Sequence, residues 1–151
     1  MMILKSEHGF SLIELVVSLS LLGVLASIMA ISLLHQSPKY RLKKAVWEIH
    51  SRLNYARYKS IYKGEKYKVS FDTNGYTVEK FSESEGQWKK DLWNLCDGVL
   101  IEATNSPIFH PRGTVSNLAS IMISNSWGKY KISIAISGRI KIAQMEEVPG
   151  D

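Results

Sequence analysis

The pattern of apolar and polar positions divides the chain into an apolar N-terminal run, a helix with one apolar face and a β-rich remainder. Residues 10–34 carry a single charged side chain, Glu14. As a helix these 25 residues would be about 37 Å long, which exceeds the ~30 Å hydrocarbon core of a bilayer. The pattern therefore predicts a transmembrane helix over residues 10–34.

A second helix is predicted after Pro38, because apolar side chains recur at steps of three and four residues. It runs to Lys63, and Gly64 is a suitable stop. The positions that define its packing face are Leu42, Val46, Ile49, Leu53, Ala56 and Ser60.

Beyond Gly64 the period changes to two, which predicts strands. The first hairpin turns at residues 72–75, and side-chain parity pairs Phe71 with Tyr76. Residues 82–90 are polar and are predicted to form a loop. A weaker strand pattern follows at Trp93, Leu95, Val99 and Ile101.

The C-terminal third is a clearer meander, with a turn at residues 125–128. A three-residue loop, 136–138, with Gly138 left-handed, pairs Ile134 with Ile140. The inward positions are Ile121, Ile123, Tyr130, Ile132, Ile134 and Ile136. The outward face of this last hairpin then collects four cations, Lys129, Lys131, Arg139 and Lys141.

Composition is that of a foldable chain: of 151 residues, 45% are hydrophobic and 22% charged, with a net charge of +5. The charge is unevenly distributed. Residues 39–68 hold ten Lys or Arg against two acids, and residues 111–145 hold five Lys or Arg and no acid. Residues 69–110, between these two basic blocks, carry a net negative charge. The first block is interpreted as a solvated helix face rather than a binding surface.

Catalytic and metal-binding patterns are not found in the sequence. It has no Gly-x-Ser-x-Gly, no phosphate-binding glycine loop and no metal-spaced histidines. A single cysteine, Cys96, excludes an internal disulfide, and a buried thiol is favoured over an intermolecular bond. We therefore predict a protein that is not an enzyme, with no cofactor, no metal and no small-molecule substrate.

Glu14 is the anomaly of the apolar run, because a carboxylate near hydrocarbon costs several kcal/mol unless it is paired or neutralised. Two ordinary interpretations are a secretory signal peptide cleaved after Ala26 and a plain transmembrane anchor. Signal peptides have apolar centres of 7–15 residues, shorter than this run. Neither interpretation accounts for the carboxylate.

The stretch Gly9-Phe10-Ser11-Leu12-Ile13-Glu14 resembles the prepilin cleavage and methylation motif of type IV pilins and type II secretion pseudopilins. The resemblance implies a leader peptide at residues 1–9, cleavage after Gly9 by prepilin peptidase, and N-methylation of Phe10. It also implies that Glu14 pairs with the N-terminal amine of a neighbouring subunit and sets the axial register. Such a pair removes the cost of two charges left unpaired in lipid.

The whole layout resembles the type IV pilin-like fold, an α+β architecture in which a long N-terminal helix, transmembrane and then amphipathic, packs on a C-terminal antiparallel β-sheet. Within that fold, three segments resemble the GspH/FimT family of minor pilins and pseudopilins: residues 53–57, 109–113 and 137–142. The resemblance implies single-pass insertion in the cell inner membrane with residues 35–151 as a periplasmic domain. Positive-inside counting favours the opposite orientation, although long domains translocate largely regardless of charge.

Two functions follow from the resemblance. The first is a minor pseudopilin of a type II secretion system, a structural subunit at or near the pseudopilus tip that takes part in protein secretion with other pseudopilins. The second is a FimT-like minor pilin of a type IV pilus that binds DNA for uptake. The DNA-binding Gly-Arg-x-Arg loop of that family corresponds to Gly138, Arg139 and Lys141, where Lys keeps the charge but loses bidentate phosphate geometry. The candidate DNA-binding residues are the four outward cations Lys129, Lys131, Arg139 and Lys141.

Overall fold

The computed structural model describes residues 11–34 and 37–147 of the chain. Those residues form two helices and nine strands. The helices are α1 (Leu12–Leu34) and α2 (Pro38–Lys63). The strands are β1 (Tyr67–Asp72), β2 (Gly75–Ser82), β3 (Gln87–Leu95), β4 (Leu100–Ala103), β5 (Ile108–Phe109), β6 (Val115–Ser116), β7 (Ser120–Asn125), β8 (Gly128–Ile134) and β9 (Ile140–Glu147).

Contacts divide the chain into two compact units, with the boundary between Gln36 and Ser37. The described part of the first unit is α1, preceded by Ser11. The second unit contains α2, all nine strands and the whole hydrophobic core. The predicted leader at residues 1–9 lies outside the described residues, and the predicted division into leader, transmembrane helix and periplasmic domain stays a prediction.

Helix α2 confirms the predicted helix and its packing face. Pro38 occupies its first turn, where the missing N–H costs nothing, and Gly64 follows its last residue with a φ of 67°. All six predicted face residues are buried, and Ala45 joins them. This stripe packs against strands of both sheets. Burial of the stripe therefore holds α2 in place.

The strands form two antiparallel sheets rather than the single sheet that we predicted. Sheet A has the order β3-β2-β1-β5-β6, and sheet B has the order β4-β7-β8-β9. The chain leaves sheet A after β3 and enters sheet B at β4, through a turn that contains Cys96 and Val99, both buried. The alternation of side chains predicts strands but not which sheet each strand joins.

In sheet A the predicted pairing of Phe71 with Tyr76 is confirmed, and Tyr67, Val69 and Val78 point into the core. The predicted polar loop at residues 82–90 is wrong in its second half. Residues 87–90 belong to β3 and pair with the end of β2. Because β3 is an edge strand and mostly exposed, its sequence has no apolar alternation to reveal it.

In sheet B the predicted register is confirmed. Ile134 pairs with Ile140, Ile132 pairs with Ile142, and Gly138 is left-handed with a φ of 76°. The predicted inward position of Ile136 is wrong, since its side chain is 65% exposed. Strand β8 ends at Ile134, so Ile136 lies in the loop and no longer follows the strand's alternation.

Candidate functional site

The predicted processing residues Gly9 and Phe10 lie outside the described residues, so the structure begins just after them. Glu14 lies in the first turn of α1, and its Oε2 accepts a weak hydrogen bond of 3.4 Å from the Ser11 backbone N–H. Among the described residues, no cation pairs with this carboxylate. An acid at a helix N-terminus is favoured by the helix dipole.

Helix α1 exposes its apolar side chains. Ten of them are 49–82% exposed, namely Leu12, Ile13, Leu15, Val16, Val17, Leu19, Leu21, Leu22, Val24 and Leu25. The hydroxyls of Ser20 and Ser27 donate to the carbonyls four residues earlier, each at 2.8 Å. In the part of the chain that the structure describes, no helix is long and apolar enough to cross a membrane.

The three segments that resemble the GspH/FimT family meet at one corner of the second unit, although they lie far apart in sequence. Arg57 of α2 donates from Nη2 to the Ser137 carbonyl at 3.4 Å, and Ser60 Oγ donates to the His110 carbonyl at 3.3 Å. The Val115 N–H donates to the Ile136 carbonyl at 2.9 Å. The corner therefore ties two loops to the helix.

Two glycines make this corner possible. A methyl carbon added to Gly138 would lie 2.6 Å from Arg57 Nε and 2.7 Å from the Gly113 carbonyl oxygen. Both glycines have positive φ, at 76° and 81°. Arg57 Nε is buried and has no hydrogen-bond partner among the described residues. We call this contact of Arg57, Gly113 and Gly138, with the loops that carry the glycines, the glycine corner.

Three of the four predicted outward cations lie on strands of sheet B, and Arg139 lies in the loop immediately before β9. Lys129, Arg139 and Lys141 are exposed and Lys131 is half-buried. No two of them are paired directly across strands, because Lys131 pairs with Ala143 and Lys141 with Ser133. This stagger avoids direct repulsion between like charges.

Sequence reasoning missed Arg112 as a member of this surface. The close approach of Gly113 to Gly138 brings the adjacent residues Arg112 and Arg139, both exposed, to the same corner. The one feature that could have suggested the position of Arg112 is the turn at residues 110–113, in which Gly113 adopts a left-handed conformation. We call the set Arg112, Lys129, Lys131, Arg139 and Lys141 the basic surface.

The two basic blocks of the sequence differ in how the fold uses them. In the first block, six ammonium groups lie over aromatic rings within 6 Å of the centroid: Lys39, Lys43, Lys59, Lys63, Lys66 and Lys68. Arg112, Lys131, Arg139 and Lys141 have no ion pair, hydrogen bond or ring contact with the side chains that the structure describes, and Lys129 lies directly across from Glu146 in the strand register. The first block thus places most of its lysines over aromatic rings, and the basic surface does not.

A polar network that the sequence did not predict joins α2 to sheet A. The hydroxyl of the fully buried Tyr76 donates to Glu48 Oε1 at 2.8 Å and accepts from Arg52 Nε at 3.1 Å. Asn94 Nδ2 also donates to Glu48 Oε1. Burial and the Glu48 hydrogen bond raise the pKa of Tyr76 to about 12. Each polar group has a partner, so the network is structural.

Cys96 confirms the predicted buried thiol, with 4% of its surface exposed. Burial, with the nearby carboxylates of Glu48 and Asp97, raises the pKa of its thiol to about 11. The thiolate is therefore scarce at neutral pH, and this cysteine is a poor nucleophile. Among residues 11–34 and 37–147, no three histidine, cysteine or acidic side chains come together in a way that could hold a metal ion.

The fold and the N-terminal motif together define a class of protein. Residues 4–30 match the family model of the prokaryotic N-terminal methylation motif. The second unit, with one helix packed on antiparallel sheets, has the type IV pilin-like fold. A prepilin motif on this fold is consistent with a GspH/FimT-like minor pilin, either a pseudopilin or a pilin.

Solved structures of two such proteins resemble this chain. The minor pseudopilin EpsH from the type II secretion system of Vibrio cholerae has a TM-score of 0.60 at 14% identity, over 69% of this chain and 97% of that one. A second EpsH structure has a TM-score of 0.61 at 14% identity, over 74% and 99%. The type IV minor pilin FimU from Pseudomonas aeruginosa PAO1 has a TM-score of 0.59 at 16% identity, over 70% and 90%. A search of curated protein sequences finds no significant match.

Proposed function

We propose that this chain is a minor pseudopilin of a type II secretion system, a non-enzymatic structural subunit at or near the tip of the pseudopilus. The observation that carries the proposal is Glu14, a carboxylate without a described cation, on an apolar helix that follows a prepilin motif. A helix with ten exposed apolar side chains needs lipid or other helices around it. The fold resembles those of both EpsH and FimU, which supports a minor pseudopilin or pilin.

In the proposed pathway, the apolar run 10–34 anchors the subunit in the inner membrane with residues 35–151 in the periplasm. Prepilin peptidase cuts after Gly9 and methylates the new amine of Phe10. The amine of one subunit then pairs with Glu14 of its neighbour, which sets the axial register. A wrong register would leave both charges unpaired in an apolar setting, at a cost of several kcal/mol.

Processing is tested by the intact mass of the protein extracted from membranes. We expect a chain that begins at Phe10 and carries one extra methyl group. Gly9→Ala should still be cut in part, whereas Gly9→Val should retain the leader. A mature chain that begins at Ser27 would show that the segment is a signal peptide.

Assembly is tested by Glu14→Ala in a cell that makes the whole apparatus. We expect normal membrane insertion and loss of crosslinks to other pseudopilins, because the carboxylate matters only where a partner amine is present. Leu15→Ala, on the same helix, is the matched control and should leave the crosslinks intact. Unchanged incorporation of the Glu14 variant would remove the register role.

The second candidate is a FimT-like minor pilin that binds DNA, and the basic surface, most of whose cations are exposed, favours it. The second unit, residues 37–151, contains the whole described core and serves as the test fragment. If it binds duplex DNA through phosphates, log affinity should fall with log salt at a slope of about −0.9 per phosphate contact. Arg139→Ala with Lys141→Ala should reduce that slope by about two.

Lys39→Ala with Lys43→Ala is the matched control for DNA binding, because those two cations lie over the Trp127 ring within the fold. A gel-shift titration at two salt concentrations separates the outcomes. No binding at low salt leaves only the pseudopilus role. If binding survives the change at Arg139 and Lys141 but is lost with the change at Lys39 and Lys43, the DNA-binding site would lie on α2.

A further inference from the structure

The two sheets present four edge strands, and three of them carry features that discourage pairing with another chain. Strand β6 has two residues and β4 has four, so both are too short to serve as a template. Strand β3 has nine residues, but Lys89, Lys90 and Asp91 stand at its centre and its pairing with β2 is bulged. Short length, central charges and β-bulges are the features that usually prevent an edge strand from pairing with another chain.

Strand β9 is the long edge without a charged centre. It has eight residues, and between Ile140 and Met145 it carries one charge, Lys141. Its irregularity against β8 lies near its end, where the partners change from Gln144 to Glu146. No described residue pairs with its other side. The stretch Ile140–Gln144 is therefore a regular open edge within the described part of the chain.

The direction of the main-chain groups along β9 follows from its register. The Ala135 N–H donates to the Arg139 carbonyl at 2.9 Å, so this pair is a hydrogen-bonded pair. Hydrogen-bonded and non-hydrogen-bonded pairs alternate in an antiparallel ladder. Lys141 and Ala143 therefore direct their main-chain groups toward β8, and Ile140 and Ile142 direct theirs outward. Gln144 follows the same alternation, so the open edge Ile140–Gln144 offers three N–H donors and three carbonyl acceptors at alternate residues.

Apolar surface lies beside these unpaired groups. Ile140 and Ile142 are only half-buried, although their cross-strand partners Ile134 and Ile132 are 6% and 0% exposed. Ile136 before the strand is 65% exposed, and Met145 near its end is 57% exposed. An added strand would bury part of this surface and satisfy the main-chain groups in one step.

We propose that β9 receives an extended segment of a different pilin-like subunit of the same filament as an added strand. The segment would place apolar side chains beside Ile140 and Ile142, and carboxylates near Arg139 and Lys141, whose charges have no described partner. The inference rests on the proposed function in one respect, namely that the added segment comes from a neighbouring subunit of the filament. It adds a mode of contact through the globular unit to the contact through Glu14.

The test uses the full chain in cells that make the whole apparatus, with a photo-crosslinking residue in place of the exposed Ala143. We expect an adduct with an extended segment of another pilin-like subunit, identified by mass spectrometry. Ile142→Pro should lower the yield of the adduct roughly tenfold relative to Ile142→Ala, because loss of one hydrogen bond can have an effect of this size. Both changes shorten the isoleucine side chain, alanine more than proline, but only proline removes the outward N–H, and proline is tolerated at an edge.

The same crosslinking residue at Lys90, on the protected edge β3, should give no adduct with a subunit strand. An adduct between two copies of this chain, an equal adduct from Lys90, or equal adducts from the Pro and Ala variants would overturn the inference. Incorporation into the filament is measured separately. An incorporated chain without the β9 adduct refutes the inference alone, whereas a wild-type chain that never incorporates refutes the proposed function as well.

Discussion

Helices α1 and α2 have similar lengths, 23 and 26 residues, but they relate to their surroundings in opposite ways. Helix α2 buries a stripe of seven residues against two sheets, and its remaining surface is mostly polar or aromatic, with Ile61 50% exposed. Helix α1 has apolar side chains on all sides and buries none of those that the structure describes. The comparison shows that α2 is stabilised by packing within its own unit, whereas the described side chains of α1 have no such packing.

The largest expected effect is the loss of a core side chain from α2. Leu53 is fully buried, so Leu53→Ala should destabilise the second unit by about 2–5 kcal/mol, through lost burial and a cavity. Leu19→Ala on α1, where the leucine is 68% exposed, is the control and should leave the unfolding of that unit unchanged. Thermal and urea unfolding of the full chain in detergent would measure both. Equal destabilisation by the two changes would contradict the contrast between the helices.

The glycine corner should show the next largest effect, since it joins α2 to two loops. Gly138→Ala forces a side chain into a left-handed backbone, at roughly 1 kcal/mol, and also into Arg57 and the Gly113 carbonyl, at about 1–3 kcal/mol more. Gly64→Ala is the matched control, because its φ is 67° and its added carbon would meet nothing within 4 Å. Urea midpoints of the second unit should fall further for Gly138→Ala. If the midpoints fall equally, the crowding at the corner has no energetic consequence.

Tyr76 tests the attachment of α2 to sheet A. Tyr76→Phe leaves Glu48 and Arg52 without their shared partner and should cost about 1–3 kcal/mol at neutral pH. The folded pKa of Tyr76, about 12, lies above its ordinary value of 10.0, so its stabilising effect is complete below pH 10 and is lost as pH rises toward 12. The difference in unfolding free energy between wild type and variant should therefore shrink above pH 10. A constant difference up to pH 12 would contradict this role.

Tyr67 also has a raised pKa in the alkaline range, so it contributes to the same pH dependence of stability as Tyr76. Burial, with Asp91 and Glu65 nearby, also raises its pKa to about 12. The Tyr76→Phe variant should thus keep part of the alkaline loss of stability, and a double change that includes Tyr67→Phe should lose more of it.

The smallest expected effect on stability belongs to Glu14. Glu14→Gln on α1 should not change the unfolding of the second unit, because the residue makes one weak bond to Ser11, in its own helical turn. Its effect should appear only in assembly, as weaker crosslinks to neighbouring subunits. A measurable change in unfolding would mean that α1 contributes to the stability of the globular unit after all.

Several elements were determined by sequence because their causes are local. The limits of α2 follow from Pro38 and Gly64, and its buried face follows from helical spacing. The two hairpin registers follow from side-chain parity and turn length, since a slip of one residue would move every apolar side chain to the wrong face. The methylation motif is also local, because it is read from consecutive residues before an apolar run.

Only the tertiary structure decided the rest. The assignment of strands to two sheets, the inclusion of residues 87–90 in β3 and the exposure of Ile136 depend on which strands are neighbours, and alternation carries no such information. The meeting of Arg57 with Gly113 and Gly138, and with it the addition of Arg112 to the basic surface, joins residues more than 20 positions apart. The packing of first-block lysines over aromatic rings also depends on the tertiary structure, because a ring and an ammonium group meet only once the chain is folded.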